Sequence, residues 1–245
     1  MDVRQVNNLI DLMEFFAERG RPATLAEIAK HFNWPKSSTF NLLGTLSNRG
    51  YLYEPKAREG YYPAPGWLSL AEKIDRAALV PAALVQFIET LCEKTHETAV
   101  LAAISGSKVV FIVTKESPRA VRYAAPVGKI VPLCSTATGR ALLSQLGEAE
   151  RLTALRRANF EQYTATTLMS VDAVMQEIDR SVARGYFTGN GEYTADLGGL
   201  AMSVKFGERN LAVLVAGPVS RVQPRTAQIV QIMAQEISAL MAPSH

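Results

Sequence analysis

Two short stretches of the 245-residue chain gather hydroxyl and amide side chains where a helix would present them together. The first is Lys36-Ser37-Ser38-Thr39-Phe40-Asn41, with Thr45 and Asn48 further along the same helical face. The second is Ser135-Thr136-Ala137-Thr138, just before Gly139-Arg140. Such groups bind: they meet phosphate, base edges or carboxylates, and at a helix start they act beside free backbone N–H groups. They are weak nucleophiles without an adjacent activating base. The chain has three histidines, His31, His96 and His245, and none has a second histidine at metal-ligand spacing. A zinc site would need mainly carboxylates, and a Ser-His-Asp or Cys-His arrangement would need His31 or His96. We therefore expect no catalytic residue, no metal and no cofactor. The two cysteines, Cys92 and Cys134, cannot form a disulfide framework, which points to a reduced cytoplasmic setting.

Composition bounds the elements that position these groups. Apolar residues make up 48% of the chain and charged residues 20%, enough for packed cores and unlike a disordered or coiled-coil chain. Lys+Arg is 26 against Asp+Glu 23, so the net charge of +3 excludes an acidic protein and is too small to announce a partner by itself. No apolar run approaches the roughly 18 residues of a membrane span, and Met1-Asp2-Val3-Arg4 does not open a signal peptide. No membrane partner is expected.

Val6, Leu9, Ile10, Leu12, Met13 and Phe16 recur with helical spacing over 4–19, and Gly20 stops the run. Thr24 with Glu27 is a capping-box pattern opening a second helix to Phe32. After Asn33-Trp34-Pro35, a third helix runs from Lys36 to about Arg49, with Gly50 as its stop. Tyr51–Glu54 and Tyr61-Tyr62 about a polar turn form a β-hairpin, and 67–74 a linking helix. From Val80 the pattern predicts a helix containing Leu84–Leu91 and strands over 99–104 and 109–113. A third strand is expected at 121–125, helices over 135–145 and 171–184, a hairpin of 199–204 with 211–216, and a closing helix 223–241. The fold class is α+β with a largely antiparallel sheet.

Helix, turn, helix and a following hairpin is the arrangement that places a second helix in the DNA major groove and a wing beside it. The candidate DNA contacts are Lys36, Ser37, Ser38, Thr39, Asn41 and Thr45 on the helix, with Lys56 and Arg58 on the wing. Asn pairs bidentately with adenine, Ser and Thr meet base edges or phosphate, and Lys36 meets phosphate or guanine. The alternative is a three-helix module whose polar face simply meets water. The hairpin after Gly50 favours the first, because helix-turn-helix plus wing is more specific than either alone. Charge agrees: residues 33–58 hold four basic side chains against Glu54 alone, a surplus of +3 equal to that of the whole chain.

The residues Leu25-Ala-Glu-Ile-Ala29, Pro35-Lys36-Ser37, Leu42-Leu43, Thr45-Leu46 and Gly50-Tyr51-Leu52 resemble the winged helix-turn-helix of the IclR family of bacterial transcriptional regulators. Independently, Gly128 to Leu143, with Pro132-Leu133-Cys134 and Gly139-Arg140-Ala141, is similar to that family's second-domain segment, as are Arg184-Gly185-Tyr186, Gly191-Glu192 and Gly217-Pro218 with Arg221. Cys134 stands where the family often has His, Arg140 where it has Lys, and Asn41 where it often has Arg, while Pro63 and Pro65 stand where the wing strand usually continues. The resemblance implies a DNA-binding domain over 1–65, a linking helix over 66–79, and a GAF-like effector-binding and oligomerisation domain over 80–245. It also implies operator DNA as a partner, a homodimer or homotetramer, and a small organic acid or aromatic effector. The effector site would come from Ala137, Thr138, Glu192, Tyr193, Gly199, Ser203, Leu214 and Ala216. The residues leave other readings open. Ser135 or Thr136 could simply cap the helix, small residues could serve close packing, and Tyr123 and Met202 could be core. Glu192 and Asp196 bind a ligand or sit in water, and Arg122 or Arg140 could meet a carboxylate. A constitutive DNA-binding or oligomerising protein without an effector is the alternative function, and an enzyme carrying a DNA-targeting module a further one.

Overall fold

The computed structural model describes residues 3–56, 59–75 and 80–242, and it divides into two compact units, 1–79 and 80–245. In the first unit the apolar stripe of α1 (Arg4–Arg19) splits in two. Leu12 and Phe16 are buried, with Leu9 and Met13 packed beside them, whereas Val6 and Ile10 face outward. Gly20 ends the helix in a left-handed conformation. Thr24 opens α2 (Leu25–His31): its hydroxyl accepts from the Glu27 N–H, and its own N–H donates to Glu27 Oε2 at 2.8 Å. Asn33, at φ 52°, makes the turn into α3 (Lys36–Asn48), which buries Thr39, Leu43 and Leu46. The hairpin is short: β1 (Leu52–Tyr53) pairs antiparallel with β2 (Tyr62–Pro63). Pro63 is tolerated because the ladder has only two strands, both of them edges. In α4 (Gly66–Asp75) the Trp67 indole donates to Tyr51 O at 2.9 Å, tying the helix start to the hairpin.

The second unit is built on one six-stranded antiparallel sheet. After α5 (Ala82–Thr95) come β3 (Thr98–Ser105), β4 (Lys108–Lys115) and β5 (Ile130–Pro132), then α6 (Ala137–Leu143), α7 (Glu148–Arg157) and α8 (Val171–Arg184). The chain continues through β6 (Phe187–Asn190), β7 (Leu197–Phe206), β8 (Arg209–Pro218), the short α9 (Val219–Val222) and α10 (Thr226–Met241). The sheet order is β5-β4-β3-β8-β7-β6. One face packs on α5 and α10 through Leu84, Ile88, Leu91, Ile229 and Met233. The other packs on α6 and α8 through Ala137, Ala141, Leu142, Val174 and Ile178.

The expected strand over 121–125 is not one. Its backbone is held by side chains instead: Thr98 Oγ1 donates to Tyr123 O, Arg221 Nη2 to Val121 O, and the Ala125 N–H to Glu116 Oε1. The edge strand comes later, at β5, where Val131 faces Val109. The second-domain helix begins at Ala137, two residues later than its hydroxyl run suggests, and β6 and α7 are elements that apolar patterning left out.

Candidate functional site

In the first unit, α3 exposes Lys36, Ser37, Ser38, Asn41, Thr45 and Asn48 to solvent. Pro35 precedes it and no side chain caps the helix, so its first-turn N–H groups lack an intrahelical acceptor. Thr39 is the exception among the expected contacts. It is fully buried, and its hydroxyl donates to Pro35 O at 3.1 Å, because its position falls on the inner face with Leu43 and Leu46. Thr45 is exposed, and its hydroxyl donates to Asn41 O at 2.7 Å. Lys56 is exposed in the hairpin turn and meets Glu59 at 3.3 Å, while Arg58 lies outside the described residues. The sequence reading missed three residues at the start of α1. Arg4, Gln5 and Asn8 line a groove with Trp34, Pro35, Ser38, Asn41, Leu42 and Thr45, extending the polar face beyond the recognition helix. Their signal in the sequence is the hydrophilic opening of α1, Arg4-Gln5 and Asn8.

In the second unit a pocket of about 430 Å³, part of it open to solvent, lies where α6 meets the sheet. Seven of the eight residues expected at an effector site line it: Ala137, Thr138, Glu192, Tyr193, Gly199, Leu214 and Ala216. Ser203 does not. It shares the β7 face of Gly199 but lies four residues on, more than 10 Å along the strand at ~3.3 Å per residue, and is exposed. Phe111 and Tyr123 add aromatic walls, and Ser135, Thr136 and Thr194 add hydroxyls. Met202 packs on the opposite sheet face.

The local geometry accounts for each placement. Thr136 is the cap: its hydroxyl accepts from the Gly139 N–H at 3.1 Å and donates to Pro132 O at 2.8 Å. Ser135 is thereby free of capping, and its buried Oγ has no hydrogen-bond partner. Gly139 lets α6 approach the preceding turn, since a Cβ there would stand 2.0 Å from Leu133 O. Arg140, with no exposed side-chain surface, donates to Thr188 O and Cys134 O and pairs with Glu192 Oε2 at 2.6 Å. Gly191, at φ 78°, turns the chain into Glu192, whose carbonyl accepts from Thr167 Oγ1 at 2.6 Å. Burial pushes the Glu192 carboxyl up and the Arg140 guanidinium opposes it. Burial also raises Tyr123 to about 12 and the Cys134 thiol to about 11, so both stay protonated at neutral pH. Asp196 is exposed, and Arg122 pairs with Glu116 at the surface. Among the described residues no group of three or more His, Cys, Asp and Glu could hold a metal ion, and no helix is long and apolar enough to cross a membrane.

Residues 5–55 match the IclR helix-turn-helix domain, and residues 72–239 match the C-terminal domain of IclR bacterial transcriptional regulators. The chain belongs to the IclR family. The HTH-type transcriptional repressor AllR of Escherichia coli K12 is 24% identical over 214 residues, 86% of this chain and 79% of AllR. An IclR transcriptional regulator of Alicyclobacillus acidocaldarius has the same fold, at TM-score 0.72 and 23% identity over 99% of this chain and all of that one. So has an IclR homolog of Microbacterium hydrocarbonoxydans complexed with 4-hydroxybenzoate, at TM-score 0.71 and 18% identity over 97% of this chain and 98% of that one. For this IclR-family chain, the polar helix face lies in the unit matched by the helix-turn-helix domain. The pocket lies in the unit matched by the C-terminal domain.

Proposed function

We propose that this regulator holds operator DNA through α3 and the wing, and that a small organic acid or aromatic compound in the pocket beside α6 alters that hold. The observation that carries the reading is convergence. Residues from α6, from the loop before β7, and from β7 and β8, separated by up to 79 positions, meet around one cavity, while α3 presents an uncapped polar N-terminus. The repressor AllR and the 4-hydroxybenzoate complex of the Microbacterium homolog support a DNA-bound, ligand-binding protein of this type. Ser37, Ser38, Asn41 and Thr45 read base edges or phosphate, and Lys36, Lys56 and Arg58 contact the backbone. A homodimer or homotetramer would set two recognition helices on a near-palindromic site. No catalytic role is assigned, because the pocket lacks histidine and lysine and the nearby Cys134 stays a thiol. A reduced cytoplasmic setting fits its two buried free cysteines.

The test is fluorescence anisotropy on DNA from upstream of its own gene, across a salt series and with a panel of organic acids and aromatic compounds. Binding should weaken linearly in log–log form with salt, and at least one compound should change it. Lys36→Ala should weaken binding and reduce the magnitude of the salt slope by about 0.9, the value of one phosphate contact. Salt-insensitive or absent binding, with every compound silent, would refute the reading.

A further inference from the structure

The proposed pocket has no cation of its own for an anion to meet. Among the residues that line it, Glu192 is the one charged side chain, and it is a carboxylate. The Arg140 guanidinium beside Glu192 has no exposed surface and turns its Nη groups to Thr188 O, Cys134 O and Glu192 itself, with its buried Nε left without a partner. Lys129 stands 4.6 Å from the centre of the Tyr123 ring, donates to Ala124 O, and does not line the pocket. A carboxylate entering here would meet a like charge in a partly desolvated site, which disfavours both ionised forms.

Two further features describe what would fit. The walls are rings and apolar groups, Phe111, Tyr123 and Tyr193 together with Val131, Leu197 and Leu214. Ser135 supplies a hydroxyl that is buried and unpartnered within the lining. A buried polar atom without a partner costs free energy, and a bound group that satisfies it recovers that cost. An alcohol or phenol hydroxyl both donates and accepts, so one such group can give its proton to the Glu192 carboxylate and accept the Ser135 O–H.

We propose, resting on the effector-pocket reading above, that the effector of this chain is an uncharged hydroxyaromatic compound, selected by Glu192 and Ser135 against the corresponding carboxylate. Ring contact supplies the affinity, and the two polar groups set the preference. The Arg140 ion pair fixes the carboxylate and at the same time commits that guanidinium away from an entering acid.

Matched probes test this in the full-length protein at neutral pH. Phenol and 4-methylphenol are compared with benzoate and 4-methylbenzoate by calorimetric titration and thermal shift. The phenols should raise the melting midpoint and bind roughly tenfold or more tightly than their acid counterparts, the scale of one charge-assisted hydrogen bond against a like-charge contact. Glu192→Gln should narrow or reverse that preference. Because this variant leaves Arg140 without its counter-charge and can fail to fold, Ser135→Ala provides the second reading. It removes a hydroxyl with no partner, so the unliganded melting midpoint should stay level or rise, while phenol affinity falls roughly two- to tenfold. Benzoates binding as tightly as phenols would overturn the proposal and leave the effector pocket standing. Phenol affinity unchanged in Ser135→Ala would overturn it as well. Silence of both probe series would overturn it too, and the pocket reading falls with it only if the wider compound panel also leaves DNA affinity unchanged.

Discussion

Arg140 is a charged side chain with no exposed surface, and that burial is tolerable only because its charge and most of its donors are used. Its partner Glu192 already has a raised pKa through burial, opposed by the guanidinium. Arg140→Leu removes that opposing charge and strips donors from Thr188 O and Cys134 O. The expected loss is about 3–5 kcal/mol of unfolding free energy at neutral pH. The sign with pH follows from the raised carboxyl. The penalty grows as pH rises above the unfolded-state value near 4.5 and is gone at and below it, so chemical denaturation should show the variant's deficit shrinking as pH falls toward 4.5. Residue type announced the polar character of both candidate sites, but only the path of the chain decides which side chains turn inward. Thr39 sits among exposed Ser and Asn neighbours in sequence, yet helical phase carries it to the core side. Ser203 has the alternation of a pocket residue and falls beyond the pocket because strand length, not parity, separates it from Gly199.

At the scale of elements, α2 and α6 show opposite degrees of legibility. The start of α2 was readable from Thr24 and Glu27 alone, because a capping box is a local arrangement of four residues. It forms as expected, and its hydrogen bonds hold Glu27 down to about 2, the Thr24 backbone N–H first and the Arg19 guanidinium next. Thr24→Ala should therefore cost about 0.5–2 kcal/mol. A depressed carboxyl contributes stability that is full above its unfolded value near 4.5 and lost as pH falls toward 2. Acid unfolding of Glu27→Gln should accordingly be flatter than that of the parent across this window. The placement of α6 depends on more than its neighbours. Its hydroxyls marked a helix start, but which one caps follows from the turn at Pro132–Leu133, and Gly139 is needed for close approach to that turn. Gly139→Ala would raise helix propensity, yet its Cβ would stand 2.0 Å from Leu133 O, so backbone must shift. The clash should win by about 1–3 kcal/mol, seen as a lower urea midpoint with an unchanged m-value. Residues 121–125 depart from the expected strand for a related reason. Apolar and aromatic residues there serve a pocket wall and a surface loop, and side-chain bonds from distant segments replace the ladder.

At the scale of the molecule, the two-domain order was legible because each half carries its own pattern: helical caps and a polar-tipped hairpin first, then interleaved helices and hairpin strands. The structure divides at 79/80. The charge surplus, trivial for the chain as a whole, gathers in 33–58, the part of the first unit holding α3 and the wing. The pocket, in the other unit, is apolar except for Glu192 and a few hydroxyls. A regulator that binds DNA with one unit and a small molecule with the other must obey linkage, whatever path the coupling takes. If a compound changes DNA affinity by a factor α, DNA must change affinity for that compound by the same factor. The compound also stabilises the fold by RT ln(1 + [L]/Kd), a separate quantity that need not scale with α. For a 4-methylphenol effector, titrating compound into free protein and into the protein–DNA complex should therefore give two dissociation constants. Their ratio should equal the ratio of DNA dissociation constants with and without saturating compound, expected within roughly 5–150-fold for coupling of about 1–3 kcal/mol. Equal affinities in both titrations, together with a clear thermal shift, would identify a ligand that binds but does not regulate. The carboxylate analogues would then be the next compounds to compare, because a signal must differ in affinity between two states and not merely occupy one.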